Sequence, residues 1–250
     1  MSSTPDGQVA FVTGGAAGIG RAIVDALAGV GAVGMVFDTS QPGAALPTGW
    51  VFFHGDVTRE ADIRSGFDEL AARFGRLDVV VANAGVVPDW RESEVIDLDE
   101  WDRVFAVNVR GVIATIKHSV EPMKKAGGAI VVLGSLNSRR AHPRQCLYTA
   151  TKHAVLGIVR STALDLGRFG IRVNAIGPGP VATDALLERV ESRAARGQPP
   201  PDEVLRGFAG DAALGRIATV EDVADTALFL AGPGAAAITG QIIPVDGGLP

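Results

Sequence analysis

The sequence predicts an α/β fold: one domain, residues 1–250, built on a doubly wound parallel sheet of about seven strands with helices on both faces. Three observations predict it. Short apolar runs alternate with longer amphipathic segments along the chain, the order expected of βαβ units. A glycine-rich turn joins the first apolar run to the first amphipathic one. The length of 250 residues, 47% of them apolar and 32 of them Gly, is enough to bury a substantial core.

In chain order, the apolar runs place strands at Val9–Thr13, Gly34–Phe37, Val51–His54, Leu77–Ala82, Ala129–Leu133, Arg172–Ile176 and Gln241–Pro244. The amphipathic segments place helices at Ile19–Ala28, Glu60–Phe74, Asp99–Lys125, Thr149–Arg168, Asp184–Arg196 and Val220–Leu230. No internal repeat or low-complexity tract interrupts this order. Only Gly197–Asp202, GQPPPD, breaks the polar helical pattern, because three prolines prevent helix continuation and favour an extended connection. Residues 184–211 around it read as a substrate lid or as a solvated surface excursion.

Charge and composition exclude several classes. A formal charge of −5 argues against a nucleic-acid or membrane-surface partner. A single cysteine, Cys146, rules out an intrachain disulfide and suits a reducing compartment. The start MSSTPDGQ has neither a basic nor an apolar targeting region, and no apolar run reaches membrane-spanning length. The expectation is a soluble cytoplasmic protein. The four His show no metal-ligand spacing, and no metal is expected.

After the first strand runs Thr13-Gly14-Gly15-Ala16-Ala17-Gly18-Ile19-Gly20. Glycines here permit a tight turn and let backbone N–H groups approach a pyrophosphate held at the helix N-terminus. The strand-before, helix-after setting separates this from an ordinary tight connection and points to a Rossmann-like dinucleotide site. About twenty residues on, Asp38 ends the second strand, where a carboxylate accepts hydrogen bonds from ribose hydroxyls and repels a 2′-phosphate. No Arg or Lys lies between Arg21 and Arg59, so NAD is expected rather than NADP.

The stretch Gly134–Lys152 holds the only tyrosine, Tyr148, with Lys152 four residues later. On a helix the two share a face, and a cation beside a phenol favours the phenolate. A unit charge about 4 Å away at an effective dielectric of about 20 contributes about 4 kcal/mol, enough to move a phenol from about 10 toward 7. The expectation is a Tyr148 pKa clearly below its ordinary value.

Taken with Asp56-Val57, Asn83-Ala84-Gly85, Asn108, Ser135, Pro178-Gly179-x-x-x-Thr183 and the closing Val245-Asp246-Gly247-Gly248, these motifs resemble the short-chain dehydrogenase/reductase family over essentially the whole chain. The resemblance implies roles. Asp56 and Val57 meet the adenine; Asn83, Ala84 and Gly85 let the cofactor pass over the sheet edge; Pro178, Val181 and Thr183 hold the nicotinamide end. Ser135 bonds the substrate oxygen, Tyr148 is general base or acid, Lys152 bonds the nicotinamide ribose, and Asn108 keeps a water linked to Lys152. It also implies a homo-oligomer, a tetramer of dihedral symmetry, which fits apolar positions spread over more than one face of the Glu100–Lys125 segment.

Two features depart from the family pattern. The run between Asp38 and Asp56 is too short and too rich in Pro and Gly for a helix, which leaves the adenine side open. Gly134 stands where many relatives carry a second hydroxyl, which widens the expected pocket. For the substrate, Val86, Val87, Trp90, Leu186 and Leu187 read as an apolar wall or as core. Arg139, Arg140, His142 and Arg144 read as an anion site, a solvated loop or a subunit contact. The expected partner is a small-molecule secondary alcohol or ketone, handled by an NAD-dependent dehydrogenase. The alternatives are a ketone or 3-ketoacyl reductase working mainly in reverse, and a catalytically silent NAD-binding regulatory relative.

Overall fold

Seven strands form one sheet: β1 (Val9–Thr13), β2 (Val33–Asp38), β3 (Trp50–His54), β4 (Val79–Ala82), β5 (Gly128–Leu133), β6 (Ile171–Pro178) and β7 (Ile242–Val245). Their order is β3-β2-β1-β4-β5-β6-β7, and every neighbouring pair is parallel. The computed structural model describes residues 7–195 and 197–249. Residues 1–6 and 250 of the expected domain, and Arg196 at the end of the expected helix Asp184–Arg196, lie outside the described residues.

Strand side chains alternate between two cores, one on each face of the sheet. Val9 and Phe11 join α2 (Glu60–Phe74), α4 (Gly111–Met123) and α5 (Cys146–Leu166) through Ile63, Phe67, Ile116, Val155 and Val159. Ala10 and Val12 join α1 (Gly18–Gly29) and α8 (Val220–Ala231) through Ile23, Leu27, Val223 and Leu230. Fully burying one such aliphatic side chain is worth about 1.5–3 kcal/mol. This is the doubly wound sheet that the sequence predicts. The chain leaves β1 toward β2 and β3, then re-enters as β4 on the other side of β1. That reversal opens a crevice beyond the carboxyl ends of the strands, where such folds bind ligands.

Three elements differ from expectation. The helix expected over Asp99–Lys125 is α3 (Leu98–Phe105), a wide π turn over Ala106–Arg110, and α4. In that turn the Gly111 N–H bonds Ala106 five residues back, a local widening common at functional sites. The strand expected over Leu77–Ala82 starts only at Val79, since the Asp78 carboxylate instead takes the Val9 N–H at 2.8 Å. Beyond α6 (Asp184–Ala194), an unforeseen α7 (Pro201–Asp211) follows the proline run. Pro201 sits in the first turn of α7, where its missing N–H costs nothing, and Asp202 and Glu203 suit the helix dipole. The proline run thus opens a second helix, while α6 has already ended at Ala194.

No helix intervenes between β2 and β3, as the sequence predicts, and α5 begins at Cys146 rather than Thr149. Among the described residues no helix is long and apolar enough to cross a membrane.

Candidate active site

The expected site residues gather along one edge of the sheet. The glycine turn follows β1, Asp38 closes β2, Asp56 and Val57 follow β3, and Asn83 to Gly85 follow β4. Ser135 follows β5, and Pro178 closes β6.

The turn after β1 fits a dinucleotide phosphate. Gly14 has φ +66, and a Cβ there would come within 2.8 Å of the Ala84 Cα and of Asn83 Nδ2. A Cβ on Gly20 would collide with the Gly14 carbonyl oxygen, so α1 lies directly on the loop. Gly18, at φ +53, instead faces open space. The N-cap of α1, Ala17, makes no side-chain hydrogen bond, which leaves the first-turn N–H groups available to an anion. Ile19 packs partly against the α1–α8 core.

Asn83 ties the turn down. Its Nδ2 donates to the Gly14 carbonyl at 2.8 Å and the Thr13 carbonyl at 3.1 Å, while the Asn83 and Ala84 N–H groups donate to Thr13 Oγ1. Asn83 therefore shapes the cradle, beyond the strand-end role expected of it. The Asp38 carboxylate accepts from the Ala16 and Ser40 N–H groups, both at 3.0 Å, and keeps lone pairs for a ribose. Arg21, the nearest cation in sequence, is spent: its guanidinium bonds Asp25 and the carbonyls of Ala44 and Ala45. Asp56 Oδ1 accepts the Thr58 N–H, and Val57 is buried under Gly111. At the far end Val181 bridges to Ala218, and Thr183 caps α6 through the Leu186 N–H.

Ser135 is the N-cap of a short 3-10 turn over Leu136–Ser138. Its Oγ accepts the Asn137 N–H, and its own N–H donates to Ser138 Oγ. Asn137 Nδ2 then reaches α5, donating to Thr149 Oγ1 at 2.9 Å and Gln145 Oε1 at 3.0 Å. This link sets Ser135 against Tyr148 in the first turn of α5. Asn137 escaped the sequence reading, its only signal being a polar residue in the run after β5. Gly134 does not widen the pocket as expected: the space a Cβ would take is filled by the Ile176 carbonyl, Ile242 and Ser138 Oγ.

Lys152 is 7% exposed, and its Nζ lies 5.6 Å from the Tyr148 ring centroid while donating to the Leu133 carbonyl at 2.8 Å. Burial lowers its pKa to about 8. Burial also raises the Tyr148 pKa above its ordinary value, opposed first by the Ser135 hydroxyl and then by the Arg189 guanidinium. The expectation that Lys152 holds the phenol down is therefore corrected: the ammonium is committed to Leu133, and desolvation wins in the cofactor-free chain. The cation that does act on the phenol, Arg189 on α6, gave no signal in the sequence. Asn108 is buried in the π turn with its amide spent on the Val86 backbone, Oδ1 accepting its N–H and Nδ2 donating to its carbonyl, both at 2.8 Å. Its side chain holds the segment after β4, and meets α5 only through a 3.4 Å bond to Thr151.

A family model described as enoyl-(acyl carrier protein) reductase matches residues 14–250. The chain belongs to the short-chain dehydrogenase/reductase family. Two curated short-chain relatives illustrate its range. (+)-Borneol dehydrogenase 2 of Salvia officinalis is 39% identical over 97% of this chain and 89% of its own. D-beta-hydroxybutyrate dehydrogenase of Rhizobium meliloti is 34% identical over 96% of this chain and 98% of its own. Among solved structures, carveol dehydrogenase from Mycobacterium avium in complex with NAD superposes with a TM-score of 0.90 at 30% identity, covering 99% of each chain.

In this short-chain dehydrogenase/reductase, the cleft outside Tyr148 is lined by Trp90, Asp97, Arg144, Cys146 and Leu147. It adjoins a cavity of about 170 Å³ lined by Asp89, Trp90, Arg144, Arg193 and Gln198. Of the expected apolar wall only Trp90 lines these spaces; Val86, Val87 and Leu187 are exposed. The basic loop divides. Arg140 bonds the Leu249 carbonyl, Arg139 is exposed, and Arg144 alone reaches the cavity, at φ +62.

Proposed function

We propose that this chain is an NAD-dependent dehydrogenase that oxidises a secondary alcohol to its ketone, with Tyr148 as general base and, in reverse, general acid. The observation that carries the reading is the meeting of Ser135, Tyr148 and Lys152 at the sheet edge beside the glycine turn. NAD, when bound, accepts the hydride from the carbinol carbon. Ser135 Oγ holds the alcohol oxygen, Tyr148 Oη takes its proton, and Lys152 holds the ribose. Asn108 belongs to this set through the segment that it fixes.

The cradle residues hold the cofactor. Gly14, Gly18, Ile19 and Gly20 place backbone N–H groups on the pyrophosphate. Asp38 takes the ribose hydroxyls, Asp56 and Val57 the adenine, and Asn83, Ala84 and Gly85 the sheet-edge crossing. Pro178, Val181 and Thr183 border the nicotinamide. Asp38 and the commitment of Arg21 support NAD over NADP, as does the NAD in the carveol dehydrogenase complex. Residues 184–211 act as a lid, which their weak anchoring supports: α6 buries only Val190, and α7 buries no residue. The working form is a cytoplasmic homotetramer.

Turnover of a panel of secondary alcohols with each cofactor tests the reading. NAD is expected to exceed NADP at least about tenfold in kcat/KM, about 1.4 kcal/mol, and Asp38→Ala to narrow the gap. A preference for NADP overturns the Asp38 assignment, and cofactor binding without turnover of any alcohol overturns the dehydrogenase.

A further inference from the structure

In the proposed reaction Ser135 and Tyr148 meet one oxygen, yet they come from different elements, the turn after β5 and the first turn of α5. A buried side chain joins the two. Asn137, 6% exposed, donates its backbone N–H to Ser135 Oγ at 3.1 Å. Its amide Nδ2 donates to Gln145 Oε1 at 3.0 Å and to Thr149 Oγ1 at 2.9 Å. Gln145 and Thr149 are themselves joined, the Thr149 N–H reaching the Gln145 carbonyl at 2.8 Å. Asn137 thus grips both ends of the helical turn that carries Tyr148.

The bonds also set a direction. An amide has two N–H donors in a fixed fork, and both are used here. Because Ser135 Oγ accepts from Asn137, its own proton is left for the Tyr148 phenol or for a substrate oxygen. Burial raises the Tyr148 pKa, and the Ser135 hydroxyl is the first group to oppose that rise. A second observation points to the same turn. Among the described residues Arg144, directly before Gln145, is the one non-glycine in the left-handed region, at φ +62. Such a backbone is disfavoured for a residue with a Cβ and persists only where its surroundings impose it. Here the Arg91 N–H holds the Arg144 carbonyl at 2.9 Å, and the chain then delivers Gln145 to Asn137.

We propose that Asn137 is a positioning residue: it fixes the distance between Ser135 Oγ and the first turn of α5, and so the approach of the Ser135 proton to the oxygen shared with Tyr148. This rests on the proposed oxidation at Tyr148 and deepens it. In this role Asn137 touches neither the reacting atoms nor the cofactor; it acts through Ser135. Without its amide, the turn after β5 and the start of α5 lose the two side-chain hydrogen bonds that join them beside the reacting end.

The sole tyrosine gives a readout that needs no turnover. Phenolate absorbance is titrated in the NAD complex for the full chain, Asn137→Ala, Ser135→Ala and the double variant. Asn137→Ala is expected to raise the Tyr148 pKa by about one unit, as the loss of a hydrogen bond to the ionised form does. Ser135→Ala should raise it at least as far, and the double variant should match Ser135→Ala alone, because both changes act through one hydroxyl. In turnover Asn137→Ala should lower kcat about tenfold with NAD affinity unchanged. Thr149→Val, which removes an acceptor, should give part of the shift, and Thr149→Ser, which keeps it, should not. A phenol unmoved by Asn137→Ala overturns the proposal. So does a shift that adds in full to that of Ser135→Ala, the mark of a loosened fold. If Tyr148 is not the base, the phenol still reports these shifts while the pH profile of turnover does not follow them.

Discussion

The cofactor end and the substrate end of the crevice are built to different tolerances. Around the glycine turn, Gly14 and Gly20 lie against backbone, and Asn83 and Asp38 fasten the loop with hydrogen bonds of 2.8–3.1 Å. Around the substrate, α6 and α7 bury a single residue between them, and the walls are arginines laid on Trp90. The first arrangement suits one invariant ligand, because preorganised N–H groups bind without further ordering. The second suits closure, because a segment with little buried apolar area opens at small free-energy cost. The proposed catalytic pair falls between them: Ser135 belongs to the rigid half, and Tyr148 opens on the cleft of the loose one.

The largest expected effect tests that meeting point. Tyr148→Phe should lower kcat by about 10²–10⁴-fold with fold and cofactor affinity retained. The sole tyrosine also reports its own ionisation by absorbance: in the cofactor-free chain it should titrate above its ordinary value of about 10, and NAD should bring it down. A phenol unmoved by NAD removes Tyr148 from the role of base.

Next in size is Lys152, where burial at the rigid end works against stability. Its folded pKa of about 8 lies below the ordinary 10.5, so the folded chain loses this proton before the unfolded chain does. The cost of the buried charge is present at neutral pH and is relieved as pH rises from about 8 toward 10.5. Relative to Lys152→Met, the wild type should therefore gain roughly 3 kcal/mol of unfolding free energy across that window, measured by urea denaturation. A pH-independent difference means that the ammonium is not desolvated.

The smallest effects compare the two regions directly. Gly20→Ala forces overlap with Gly14 and should cost about 1–3 kcal/mol along with cofactor affinity. Gly207→Ala on α7 meets nothing within 4 Å and should stabilise by up to about 1 kcal/mol, since alanine is the better helix former. Hydrogen exchange across residues 184–211 should slow in the ternary complex. Similar costs at both glycines, or exchange that ignores ligands, would erase the contrast and reduce the segment to a surface excursion.

The sequence by itself determined the layers of the fold and named most of the candidate site residues. Apolar periodicity reports burial locally, and the turn after β1 and the spacing of Tyr148 and Lys152 are short-range patterns. The missing helix between β2 and β3 was legible for the same reason, from a run dense in Pro and Gly. The tertiary structure decided what depends on partners distant in the chain. Asn108 meets Val86 only because the helix widens at Ala106–Arg110; Gly134 leaves no room because β6 and β7 close over it. The Tyr148 pKa goes up because desolvation depends on everything packed around the ring, and because Lys152 turns to Leu133. Arg189 stayed invisible because no local pattern says which face of α6 will look toward a tyrosine at the start of α5.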